Sequence, residues 1–123
     1  MALVDDVKKL ESEAEIKYSL PEGILASIRQ QETGGQEKYL TDLTTPHYPD
    51  TKKSTAYGPY GILKSTAAQP GYGTATLSDN SLAGQTEFAA QYLAGRIKSA
   101  GSVAGGLAGY GEGAKYANQV FLS

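Results

Sequence analysis

The chain contains no cysteine and no tryptophan, one histidine and one methionine. Without cysteine there can be no disulfide framework, thiolate nucleophile or cysteine-based zinc module. The redox compartment stays open, because a cysteine-free chain folds equally well in either. With His47 alone, any site that needs two imidazoles is excluded, the HExxH zinc helix among them, so no metal and no cofactor is expected. Long apolar runs are also missing. The longest last a few residues, against the roughly 20 needed to cross a bilayer, so membrane insertion is not expected. No basic segment leads into an apolar stretch near Met1, so no signal peptide is read and synthesis in the cytoplasm is expected. Finally, 11 basic against 13 acidic residues give a net charge of -2, which offers no footprint for nucleic acid. Carboxylate and tyrosine chemistry remain.

The 123 residues, 40% of them hydrophobic, fit one domain over 1–123 with one core. Residues 3–18 read as a helix with Val4, Val7, Ala14 and Ile16 among many charges. Its thin stripe predicts a peripheral N-terminal helix within 1–18. Pro21 suits a first helical position with Glu22 behind it, and Leu25 and Ile28 share one face, with Ile24 beside them, until Gly34-Gly35 ends the helix. Residues 36–57 lose the rhythm, apart from a short helix near 37–43. TTPHYPDTKKST reads as a long loop. YGPYG at 57–61 is a tight turn leading to a short helix near 62–68, and a second loop follows to about residue 82. The clearest helix spans about 84–100, where Phe88, Ala89, Tyr92, Leu93 and Ile97 keep a 3.6-residue period. Ser102 can cap a helix at 103–110, in which Gly105, Gly106 and Gly109 each cost up to ~1 kcal/mol relative to Ala. Close packing against a helix or a ligand would offset that cost. A last helix is expected at about 112–121. The fold class is therefore mainly α, one domain of about six helices, with a short β-hairpin within 39–57 left open.

Glu32 stands out. It lies four residues after Ile28 and seven after Leu25, which puts its carboxylate on the apolar face near the end of its helix. Desolvation and the negative helix terminus would both raise its pKa, suiting it to protonate a leaving alkoxide. The same spacing also fits a carboxylate that skirts the core edge and reaches solvent, the commoner arrangement for Glu.

Four segments follow in order: QETGG at 31–35, STAYGPYGILKSTA at 54–67, AAQYLAGRI at 89–97 and GLAGYGEG at 106–113. This arrangement resembles the soluble-type lytic transglycosylases, relatives of goose-type lysozyme, over about residues 19–118. Glu32-Thr33 matches the family's Glu-Ser. Gly58 to Lys64 matches its GA-x-GLMQ turn, Tyr92-Leu93 its Tyr-Leu helix, and Gly109 to Gly113 its Ala-Tyr-Asn-x-Gly. Lys64 stands where the family has a substrate-facing Gln, and Gly111 where it often has Asn.

The resemblance implies a lysozyme-like domain that cleaves peptidoglycan glycan strands at the MurNAc-GlcNAc β-1,4 bond. Glu32 would act as acid and then base, leaving 1,6-anhydro-MurNAc ends. Thr33 would be the hydroxyl beside it, Tyr110 would fix its orientation, and Gly61, Ile62, Leu63 and Lys64 would lie along the sugar groove. Family members also occur in phage virions and secretion machines, so action at the bacterial cell wall or periplasm, carried there by such partners, is the implied setting. Two alternatives stay open. One is a peptidoglycan-binding module without turnover. The other is a true hydrolase, for which Asp42 or Asp50 would have to activate water, although both also read as solvated turn acids.

Nine tyrosines outnumber two phenylalanines. Tyr48, Tyr57, Tyr60 and Tyr72 fall in predicted loops, where they could stack on sugar faces or anchor the loops. His47 reads as a loop residue, and the GYG triplets at 71–73 and 109–111 fit no phosphate cradle.

Overall fold

A computed structural model describes residues 3–48 and 54–110. Six helices appear there: α1 (Leu3–Lys17), α2 (Ile24–Thr33), α3 (Lys38–Thr41), α4 (Lys64–Ala68), α5 (Leu82–Ala100) and α6 (Val103–Tyr110). The chain is mainly α, as its periodicity predicts. The helix expected at about 112–121 lies outside the described residues, as do Gly111 and Asp50.

The 19-residue α5 is the axis of the fold, with α6 and α1 packed on it and α2 against α1. Ser81 caps its start by accepting a hydrogen bond from the Gly84 amide at 3.1 Å. Phe88, Ala89, Ala90 and Leu93 are buried, while Tyr92 and Ile97 are half-buried at the core's edge. Ser102 accepts from the Gly105 amide at 3.0 Å and starts α6, which folds back along α5. A side chain at Gly106 would run into the backbone of Ile97, so the small residues of α6 are used for close helix contact.

Two features depart from the expected architecture. The first helix is not peripheral. Val7, Glu11, Ala14 and Glu15 are buried against the rest of the domain, whereas Ile16 is 79% exposed. The apolar count misjudged the stripe because two of its four members are carboxylates. The second helix begins at Ile24, not Pro21, and no side chain of its own caps it. Glu15 of α1 does so instead, accepting from the Gly23 amide at 3.0 Å and the Leu25 amide at 2.9 Å. It thereby satisfies two donors that every helix start leaves open, with a charge suited to the positive end of the dipole.

Within 39–57 the described residues form no strand. His47 donates its amide to the Ala56 carbonyl at 2.8 Å, and isolated antiparallel bridges join Pro46 to Tyr57 and Tyr57 to Ile62. Tyr57 and Ile62 exchange both backbone hydrogen bonds at 3.0 Å, closing a four-residue turn of Gly58, Pro59, Tyr60 and Gly61.

Candidate functional site

Glu32 lies in the last turn of α2 and is half-buried. The helix stops just beyond it, where the Gly34 amide donates to the Gln30 carbonyl at 2.8 Å. Its carboxylate rests against the α-carbon of Gly61. A Cβ built on Gly61 would come within 2.8 Å of the Glu32 Cδ and 3.1 Å of its Cγ. Gly61 also has φ +60°, a left-handed conformation costly for other residues. The backbone favours glycine here, and an added Cβ would also have to displace the Glu32 carboxylate.

On the far side of the turn, Gly61 lines a cavity of about 170 Å³ with Leu63, Phe88, Tyr92, Gly109 and Tyr110. The Phe88 and Tyr92 rings stack with centroids 6.0 Å apart, and Tyr110 tilts against Tyr92 at 5.8 Å. The Tyr110 hydroxyl donates to the Tyr60 carbonyl at 3.1 Å, joining α6 to the turn. Burial raises the Tyr110 phenol well above its ordinary pKa, and the negative charge of Glu32 adds to the effect. Glu32 and Tyr110 therefore feel each other across Gly61.

Beneath the turn lies a buried polar network. Tyr60 is fully buried and donates its hydroxyl to Glu11 at 2.8 Å, with the Thr86 hydroxyl 3.1 Å away. Glu11 also takes two hydrogen bonds from Arg29, from Nε at 2.9 Å and from Nη2 at 3.2 Å. Arg29 stands one turn before Glu32, and Tyr60 immediately precedes Gly61. One carboxylate thus ties the helix that carries Glu32 to the turn against which Glu32 rests. Burial and the nearby Glu11 charge push the Tyr60 phenol far above its ordinary range, and the Glu11 hydrogen bond raises the Arg29 pKa.

The structure brings Gly61, Ile62, Leu63 and Tyr110 together around the cavity and sets Glu32 against Gly61, outside the lining residues, and it separates others. Thr33 is buried and its hydroxyl donates to the Arg29 carbonyl at 2.8 Å, which occupies it within its own helix. Tyr57 and Tyr60 are core residues and not sugar-stacking loop aromatics. Tyr57 donates to Asn80 at 3.2 Å. Lys64 is exposed at the start of α4 and is not among the cavity's lining residues. Asp42 accepts from the Thr45 amide at 3.2 Å, and its pKa is lowered by hydrogen bonding to Thr45, in keeping with a turn acid. His47 donates Nε2–H to the Gly58 carbonyl at 2.7 Å and packs edge-on to Tyr39, which makes it a buttress of the turn.

Sequence reasoning missed Phe88 and Tyr92 as cavity walls, because a core stripe and a lined cavity share one periodicity. It also missed Glu11 and Glu15. The 4-3 spacing of Val7, Glu11 and Ala14 was the available signal. Among the described residues, no cluster of three or more potential ligands could hold a metal, and no helix is long and apolar enough to cross a membrane. A larger recess of about 280 Å³ lies between residues 75–79 and α5 and shares Phe88 with the first, but it contains none of the predicted site residues. Comparison with protein-family models, with curated proteins and with solved structures finds no match.

Proposed function

We propose that the chain is a peptidoglycan lytic transglycosylase and that Glu32 is its single acid and base. The observation that carries this reading is the placement of the Glu32 carboxylate against Gly61, beside Tyr110 and an aromatic-walled cavity. Such a wall suits the apolar faces of a sugar. Glu32 in its acid form protonates the glycosidic oxygen as the bond from the muramic acid C1 to that oxygen breaks. The substrate's 2-acetamido oxygen stabilises the cationic carbon. The Glu32 carboxylate then takes the proton of the muramyl 6-hydroxyl, whose oxygen attacks C1 and closes the 1,6-anhydro ring. The proton given in the first step returns in the second, and no water is consumed. Glycosidases with two carboxyl groups use the second as nucleophile or water-activating base; here the substrate's own hydroxyl takes that part. Action at the bacterial wall as part of a virion or secretion machine rests on the family resemblance alone.

Incubated with cell-wall sacculi, the protein is expected to release anhydromuropeptides, and Glu32→Gln to lower that release by at least about 10²-fold with an unchanged circular dichroism spectrum. Equal digestion by the Gln variant removes Glu32 from the role. Products heavier by one water would identify a hydrolase. The exposed Lys64, where the family has a substrate-facing Gln, favours a second reading, a glycan-binding module without turnover. Retention on insoluble peptidoglycan with no soluble product would select it.

A further inference from the structure

Gln85 on α5 is fully buried. Its amide nitrogen donates to the Leu43 carbonyl at 2.7 Å and to the Asn80 carbonyl at 3.0 Å, so one NH2 group ties the loop before the Tyr57–Ile62 turn to the loop that leads into α5. With both N–H groups occupied, flipping the amide would set its oxygen against two carbonyls. The oxygen therefore faces the other way, where it is buried and has no hydrogen-bond partner. It rests against the α-carbon of Gly58. A Cβ built on Gly58 would collide with Oε1 and come within 2.9 Å of the Gln85 Cδ.

A buried acceptor without a donor is costly, so the oxygen calls for an explanation. Gly58 opens the turn that Gly61 ends. Its carbonyl accepts from the Gly61 amide at 3.3 Å and from His47 Nε2 at 2.7 Å, and the paired backbones of Tyr57 and Ile62 close the turn on both sides. A turn so bonded moves as one body. It is held alike at its two ends, where the Gln85 amide oxygen from α5 meets Gly58 and the Glu32 carboxylate from α2 meets Gly61. Both glycines are left-handed, with φ of +73° and +60°. A shift at Gly58 is therefore passed to Gly61.

We infer that Gln85 is a positioning residue, which through Gly58 sets where Gly61 stands against the Glu32 carboxylate. Its effect on turnover rests on the proposed function, whereas its effect on the geometry does not. The amide nitrogen holds the side chain in place, and the oxygen is the stop against which the turn is seated.

The test is a double-variant cycle in the whole chain. Gly58→Ala drives a methyl group into the amide, and Gln85→Ala removes the amide. Each alone is expected to lower kcat for release of anhydromuropeptides roughly tenfold with little change in KM, the mark of a misplaced reacting group. Together they are expected to cost little more than either, because the collision is gone while the backbone strain at residue 58 is common to both backgrounds. Asn80→Ala removes the acceptor of the Tyr57 hydroxyl but leaves the Gln85 amide in place, and is expected to keep the parent's kcat. Additive losses, a change in KM without one in kcat, or an equal loss in Asn80→Ala overturns the inference. If the parent releases nothing from sacculi, the peptidoglycan reading fails and nuclear Overhauser contacts between the Gly61 α-protons and the Glu32 γ-protons decide the geometry. They are expected to weaken in Gln85→Ala and Gly58→Ala and to persist in Asn80→Ala. Contacts unchanged in all three overturn the inference. Should an alanine variant fail to fold, Gln85→Asn, whose amide ends one methylene short of Gly58, is compared with the parent and Asn80→Ala by the same readouts.

Discussion

Below the Tyr57–Ile62 turn, Glu11, Arg29, Tyr60 and Thr86 direct their polar groups at one another. Above it, Phe88, Tyr92 and Tyr110 face a cavity, and Arg96 has rings for neighbours and, among the described residues, no carboxylate. Both regions contain buried or half-buried charge, yet only the lower one is closed electrostatically. A closed network fixes geometry and has nothing left to offer a ligand. Glu32 sits where the two regions meet.

The largest effect is expected from opening the closed side. Glu11→Ala leaves Arg29 buried without its anion and the Tyr60 hydroxyl without its acceptor, and should lower unfolding free energy by about 3–5 kcal/mol in chemical denaturation. Replacing Glu11 and Arg29 together by methionine should restore most of that loss, because no uncompensated charge remains. If the double variant is as unstable as the single one, the network does more than balance charge.

A smaller effect separates strain from contact. Gly34 and Gly61 have φ of +66° and +60°, so alanine at either position meets a similar backbone cost of about 1 kcal/mol. A Cβ at Gly34 meets nothing within 4 Å, whereas one at Gly61 collides with the Glu32 carboxylate. Under the proposed function, Gly61→Ala should therefore reduce glycan cleavage by roughly 10²-fold beyond Gly34→Ala, the scale expected for a misplaced reacting group. Equal activity of the two variants would mean that Gly61 does not position Glu32.

The smallest effect appears at alkaline pH. Burial raises the pKa of Tyr57, Tyr60 and Tyr110 above 10.0 in the folded chain. The neutral phenol is thus favoured by folding. The stability is fully present below pH 10.0 and is lost as the pH rises above it, because the unfolded chain releases these protons first. Tyrosinate absorbance from these rings should appear together with the loss of helical dichroism. Titration of all nine tyrosines in a still-helical protein would show that the rings are accessible.

The helices were legible where one apolar face repeats, as in α5, because burial imposes the period. Gly34 marked the end of α2, and Ser102 the start of α6, through local hydrogen bonding. The half-burial of Glu32 was legible from its place in the stripe of Leu25 and Ile28. Illegible were effects that depend on a partner far along the chain. Tyr60 reads as a loop aromatic until Glu11, 49 residues earlier, is found to accept its hydroxyl. Thr33 reads as a hydroxyl beside Glu32 until the Arg29 carbonyl of its own helix is seen to accept its hydrogen bond. Nothing local announces that Arg96 lies against Tyr72 and Gly109.

The Glu15 carboxylate at the head of α2 has a consequence for how the molecule comes apart. Ten residues are too few for a helix to persist alone in water, and this one has no cap of its own. Its first turn is completed by a side chain on another helix. α1 and α2 therefore melt as one cooperative unit, and a fluctuation that lifts α1 away loosens the anchoring of Glu32 at the other end of α2.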